Sequence, residues 1–198
     1  MLRQCVFYMF LAASGLAGFE QAPAGPAQPK PTAIAAGEIG SHLPDFSARD
    51  LRGRRISSSD LRGKVVLIDF WATWCGPCKK EMPGYQKLLN RYGARGFAVI
   101  GLKLDIMADT EEPRAFARRL GIHYPLAVAT DEIKDKFGGI EGLPTTLIYD
   151  RWGILRQKII GFEYTDLVEK DLKALLGRSG QPAIKGRSAK QKLTTDQH

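Results

Sequence analysis

Between Ile39 and Leu176 the apolar positions change period repeatedly, and each change marks an element. The segment Lys64-Val65-Val66-Leu67-Ile68-Asp69-Phe70-Trp71 is apolar almost throughout and follows the turn-like Asp60-Leu61-Arg62-Gly63. A run of strand length without polar alternation predicts a strand covered on both faces. Cys78, Met82, Tyr85, Leu89 and Tyr92 then recur at helical spacing and stop before Gly93. Phe97 to Leu104 predicts a second strand, and Thr110 to Leu120 a helix with Thr110 as N-cap and Gly121 as stop. A shorter strand over Tyr124 to Ala129 and a short helix over Glu132 to Phe137 follow. Thr145 to Tyr149 and Ile154 to Ile160 pair as a hairpin across Asp150-Arg151-Trp152-Gly153, and an amphipathic helix over Thr165 to Leu176 closes the sequence of elements. Strands and helices that alternate and end in a hairpin predict an α/β fold, a mixed central sheet with helices on both faces.

The ends of the chain follow other rules. Cys5 to Phe19 is uncharged and largely apolar, shorter than the roughly 20 residues of a membrane span but suited to a signal-peptide core of about 7–15. Residues 1–24 therefore read as an export signal, or as an anchor that attaches the protein to a membrane through residues 5–19. Either places the rest of the chain outside the cytoplasm, in the periplasm. Residues 25–38, rich in Ala and Pro, read as an extended spacer before a folded domain over residues 39–176. Half of the formal charge of +8 lies in residues 177–198, where five basic side chains face Asp196 alone. That tail has no Phe, Tyr or Trp to stack on bases, so it reads as a basic disordered tail and nucleic acid is not an expected partner. The cysteines are Cys5, Cys75 and Cys78, and the histidines His42, His123 and His198, too few for a disulfide scaffold or a closed zinc site. No metal and no cofactor is expected.

The chemistry concentrates where the buried strand meets the first helix, in Trp74-Cys75-Gly76-Pro77-Cys78. Two cysteines two residues apart at a helix start can close a small disulfide ring, and the helix makes their roles unequal. Cys75 precedes the first turn, where unpaired N–H groups and the helix dipole favour a thiolate. Cys78 lies one turn in, on the face of Met82 and Tyr85, and is the less accessible thiol. Cys75 is thus the expected nucleophile and Cys78 the thiol that resolves the mixed disulfide. Pro77 suits a helix start because its missing donor is one that would be unpaired there anyway.

This segment, with Val66-Leu67-Ile68-Asp69-Phe70-Trp71-Ala72 before it and Gly142-Leu143-Pro144-Thr145-Thr146 later, resembles the thioredoxin superfamily over about 140 residues, Ile39 to Leu176. The N-terminal extension through Leu43-Pro44-Asp45-Phe46, a central α/β insertion around residues 106–130, and Lys79-Lys80-Glu81-Met82-Pro83 narrow the likeness to the TlpA/ResA-like extracytoplasmic thiol-disulfide oxidoreductases. The resemblance implies an enzyme that exchanges disulfides with protein substrates, reducing disulfides of exported proteins, apocytochrome c among them, and recharged by a membrane electron donor. It implies a thioredoxin fold with a cis peptide at Pro144, which exposes the Leu143 backbone to substrate; the plainer reading is a proline starting an edge strand. It implies that Asp69, a carboxylate in an apolar run, assists proton transfer at Cys78, against a merely structural role. Glu81 tunes the thiols or is an exposed helix glutamate. Trp74 flanks the active-site surface, and Trp71 belongs to the core. His42 and His123 have no motif partner. Two alternatives stand beside the oxidoreductase: a peroxiredoxin-like peroxidase, and a binding or chaperone module in which the thiols matter little. The peroxidase would want Pro and Thr or Ser seven and three residues before its reactive cysteine, where Cys75 has Ile68 and Ala72.

Overall fold

The strand expected from residues 64–71 is β3, Val65–Trp71, and every one of its residues is buried. The computed structural model describes residues 34–104 and 109–178. The apolar run at residues 5–19, most of the spacer, the first residues of the insertion and nearly all of the basic tail lie outside the described residues.

Burial on both faces follows from what packs on each side. Val65, Leu67 and Trp71 point into one core with helix α1, Gly76–Tyr92, and helix α4, Thr165–Leu176. Val66, Ile68 and Phe70 point into the other with Phe46 of the N-terminal extension and Ile133 of helix α3, Asp131–Lys136. Fully burying each such side chain is worth about 1.5–3 kcal/mol. Strands β4, Phe97–Leu104, and β5, Leu126–Ala129, run parallel to β3 on one side. On the other side β6, Thr145–Tyr149, runs antiparallel to β3, and β7, Leu155–Ile160, antiparallel to β6, giving the order β5-β4-β3-β6-β7. This is the mixed sheet with helices on both faces that the periodicities predict.

Helix α2, Pro113–Arg119, starts three residues later than expected, and Thr110 is not its cap. The Glu112 carboxylate accepts the N–H groups of Arg114 at 3.0 Å and Ala115 at 2.8 Å, and Pro113 takes the position where no donor is needed. The Thr110 N–H instead donates to Thr73 Oγ1 at 3.1 Å. Gly121 ends the helix at φ +66°, as expected. A hairpin of β1, Ser47–Arg49, and β2, Arg55–Ser57, has no counterpart in the sequence reading, because three-residue strands are too short to show a period. His42 and His123 are both exposed.

Candidate active site

The chain leaves β3 at Trp71 and makes a tight turn, in which the Cys75 N–H donates to the Ala72 carbonyl at 3.2 Å, before entering α1. Thr73, inside that turn, is buried and donates to Asp109 Oδ1 at 3.0 Å; Lys103 Nζ donates to both oxygens of Asp109 at 3.1 and 3.0 Å. Strand β4, whose Lys103 is the register partner of Trp71, thereby helps to fix the turn.

Cys75 is the N-cap of α1 and its Sγ accepts the Cys78 N–H at 3.2 Å. The two cysteines form a disulfide, with Cα atoms 5.4 Å apart. Cys75 keeps 3% of its surface and Cys78 none, which is the expected order of access, while Gly76 and Pro77 are exposed at the rim. In the reduced protein the sulfur at Cys75 would keep the free donors of the helix start, which favour its thiolate.

Leu143–Pro144 is a cis peptide. The pairing of Phe70 with Thr145 sets Pro144 at the end of β3 from which the Cys75 turn departs, so the disulfide and the cis-proline share one end of the sheet. Since β6 lies between β3 and β7, the proline does not start an edge strand, and that reading is set aside. Leu143 is half-buried, and the Pro144 carbonyl accepts the Gly161 N–H at 2.8 Å. Trp74 is half-buried against the core and Trp71 wholly buried.

Two carboxyls sit on the elements that flank the disulfide, Asp69 near the end of β3 and Glu81 in α1 three residues after Cys78. Asp69 is fully buried and neither of its oxygens has a hydrogen-bond partner, so desolvation holds its pKa well above the ordinary carboxylate range. Glu81 retains 1% of its surface, and the reading as an exposed helix glutamate is wrong. Its position three residues after Cys78 and four before Tyr85 turns it toward the sheet. Burial first, then the neighbouring Asp69 charge, raises its pKa too, so that the pair holds at least one proton at neutral pH.

Tyr85 belongs to the apolar stripe of α1, yet its hydroxyl, which no motif marks, sits 3.0 Å from Thr146 Oγ1 in the core beside these carboxyls. No motif marks Thr73, Lys103 or Tyr124 either. Lys103 had a signal, a charge within the apolar run of residues 97–104.

A model of the AhpC/TSA family matches residues 39–158. The chain is 34% identical to the thiol-disulfide oxidoreductase ResA of Bacillus thuringiensis (strain Al Hakam) over 139 residues, 70% of this chain and 79% of that protein. It is 35% identical to the thioredoxin-like protein YneN of Bacillus subtilis (strain 168) over 123 residues, 62% of this chain and 71% of that one. Among solved structures, a thiol:disulfide interchange protein of the thioredoxin family from Chlorobium tepidum TLS superposes with a TM-score of 0.64 at 30% identity, covering 72% of this chain and 100% of the other.

Proposed function

We propose, for a chain that belongs to the AhpC/TSA family and within it to the ResA-like thiol-disulfide oxidoreductases, that it reduces disulfides of exported proteins through the Cys75–Cys78 dithiol. The observation that carries this is the Cys75–Cys78 disulfide at the start of α1, at the same sheet end as cis-Pro144 and flanked in the chain by two buried carboxyls, Asp69 on β3 and Glu81 on α1.

The reaction runs in two exchanges. The Cys75 thiolate attacks one sulfur of the substrate disulfide, and the other leaves as a thiolate that takes up a proton. Cys78 then loses its proton to a carboxylate of the Asp69–Glu81 pair and attacks the Cys75 sulfur. The reduced substrate departs and the enzyme keeps the disulfide, so two electrons have passed to the substrate. Asp69 and Glu81 suit the proton step because their raised affinity for protons brings a carboxyl closer to a thiol than an exposed acid would be. A membrane electron donor of the thiol-reducing pathway would return the pair to the dithiol.

Protein rather than small-molecule substrates are favoured by the surface beside the cis-proline loop. Ile160, Phe162 and Tyr164 are 51%, 41% and 66% exposed on either side of the Gly161 that bonds Pro144, and the two rings touch at 5.2 Å between centroids. A contiguous apolar patch of this kind marks a surface for polypeptide. Leu143 and Pro144 would bind the substrate backbone, with Trp74, Gly76 and Pro77 at the rim. The setting is the periplasm, with attachment to the membrane through residues 5–19 or release from it, and apocytochrome c cysteines are one substrate class. A peroxidase is disfavoured by Ile68 and Ala72 at the positions its chemistry would want occupied by Pro and by Thr or Ser.

Gly76-Pro77 between the cysteines favours reduction over oxidation. Equilibration with a dithiol buffer tests this: a potential near the about −270 mV of thioredoxin is expected, and one near the about −120 mV of a strong periplasmic oxidant would reverse the direction.

A further inference from the structure

Tyr85 and Thr146 are buried polar groups for which the two exchanges above provide no role, and their hydrogen-bond count is incomplete. Each hydroxyl carries one proton, and the 3.0 Å bond between them uses one of the two. One donor is left over in a core where burying it unpaired is costly. The acceptors without a partner in that core include all four carboxyl oxygens of Asp69 and Glu81. Thr146 is the cross-strand partner of Asp69 in the β3–β6 ladder, which puts the two side chains on one face about 5 Å apart. Tyr85 follows Glu81 by four residues on α1, so these two are neighbours on one helix face, and the Glu81 charge acts on the Tyr85 hydroxyl.

We propose that Tyr85 and Thr146 are positioning residues that form a proton relay between the two carboxyls, in the order Asp69, Thr146, Tyr85, Glu81. With Thr146 donating to Tyr85, the spare donor faces Glu81; with Tyr85 donating to Thr146, it faces Asp69. Reversing that one bond moves a proton. Asp69 gives its proton to Thr146 Oγ1, the Thr146 proton passes to Tyr85 Oη, and the Tyr85 proton passes to the Glu81 carboxylate. Each hydroxyl ends with one proton and no electron moves. The relay gives the wholly buried Asp69 an outlet, because Glu81 adjoins the backbone of Glu163 in the half-exposed segment before α4. Titratable groups facing the relay are Asp69 from β3, Glu81 from α1, Tyr124 from the segment before β5, and Glu163.

This inference rests on the reading that the Asp69–Glu81 pair serves the thiols. Single-turnover oxidation of the full-length dithiol protein by oxidised glutathione, followed across the pH range of carboxyl and thiol ionisation, tests both. Tyr85→Phe and Thr146→Val should each slow the reaction about tenfold at neutral pH and move the pH profile, a modest share of what proton transfer contributes. The double variant should be no slower than either single one, since both interrupt one path, and Thr146→Ser should restore the wild-type profile. Wild-type profiles in both single variants, or losses that multiply in the double variant, overturn the relay. If Thr146→Val does not fold, Tyr85→Phe against Thr146→Ser decides. Profiles left unchanged by Asp69→Asn and Glu81→Gln would overturn the carboxyl reading, and the relay with it. A shift in those two with none in Tyr85→Phe would remove the relay alone.

Discussion

A carboxyl that is buried without a hydrogen-bond partner keeps its proton at neutral pH, and Asp69 is placed in that way. Its pKa in the folded chain lies above the unfolded value of about 3.9, so over the interval between the two the folded state binds more protons. Stability must then fall as pH rises through that interval, the reverse of the usual aspartate. Asp69→Asn cannot ionise there, so its thermal midpoint relative to the wild type should climb steadily from about pH 5 into the alkaline range, with Glu81 supplying the slope that remains. A difference independent of pH would show that Asp69 is charged in the fold. Asp69 was legible in the sequence because it interrupts an apolar strand. Glu81 was less so: its spacing from Cys78 and Tyr85 points inward, while its charge argued for solvent, and only the depth of the packing decides between them.

At the scale of elements, α1 can lie against the segment that starts α4 because residue 84 has no side chain. A Cβ on Gly84 would meet Thr165 Oγ1 at 2.0 Å and Thr165 Cβ at 3.1 Å. Gly84→Ala should therefore destabilise the protein by about 1–3 kcal/mol, and Thr165→Ala in the same chain should recover part of the loss. Denaturant midpoints of the two single variants and the double check this; a Gly84→Ala protein as stable as wild type would mean the helices separate freely. The α1 contact surface was legible as an apolar stripe, but the need for Gly84 was not, since it arises from a residue eighty-one positions away in the chain. β3, β4, β6 and α4 were readable from period alone. The start of α2 was misread because two signals competed: a threonine, which is a good cap by type, lost to Glu112 followed by Pro113.

Across the whole molecule, the disulfide, the cis-proline and the exposed aromatic pair gather at one end of the sheet, although they come from positions 75, 144 and 162–164. Topology does this: β6 runs antiparallel beside β3, so the start of one lies by the end of the other. The reactive pair was legible in the sequence, because Cys-Gly-Pro-Cys at a strand-to-helix turn is local. The hydroxyl pair was not, because Tyr85 and Thr146 are 61 residues apart and neither carries a motif. The most direct test of the central assignment, Cys75 as attacking thiol on protein disulfides, is a Cys78→Ser variant of the full-length chain isolated with its adducts. Mixed disulfides joining Cys75 to exported proteins should accumulate and be identified by mass spectrometry, with none in Cys75→Ser. Adducts through Cys78 in the Cys75→Ser variant, with none through Cys75, would contradict it.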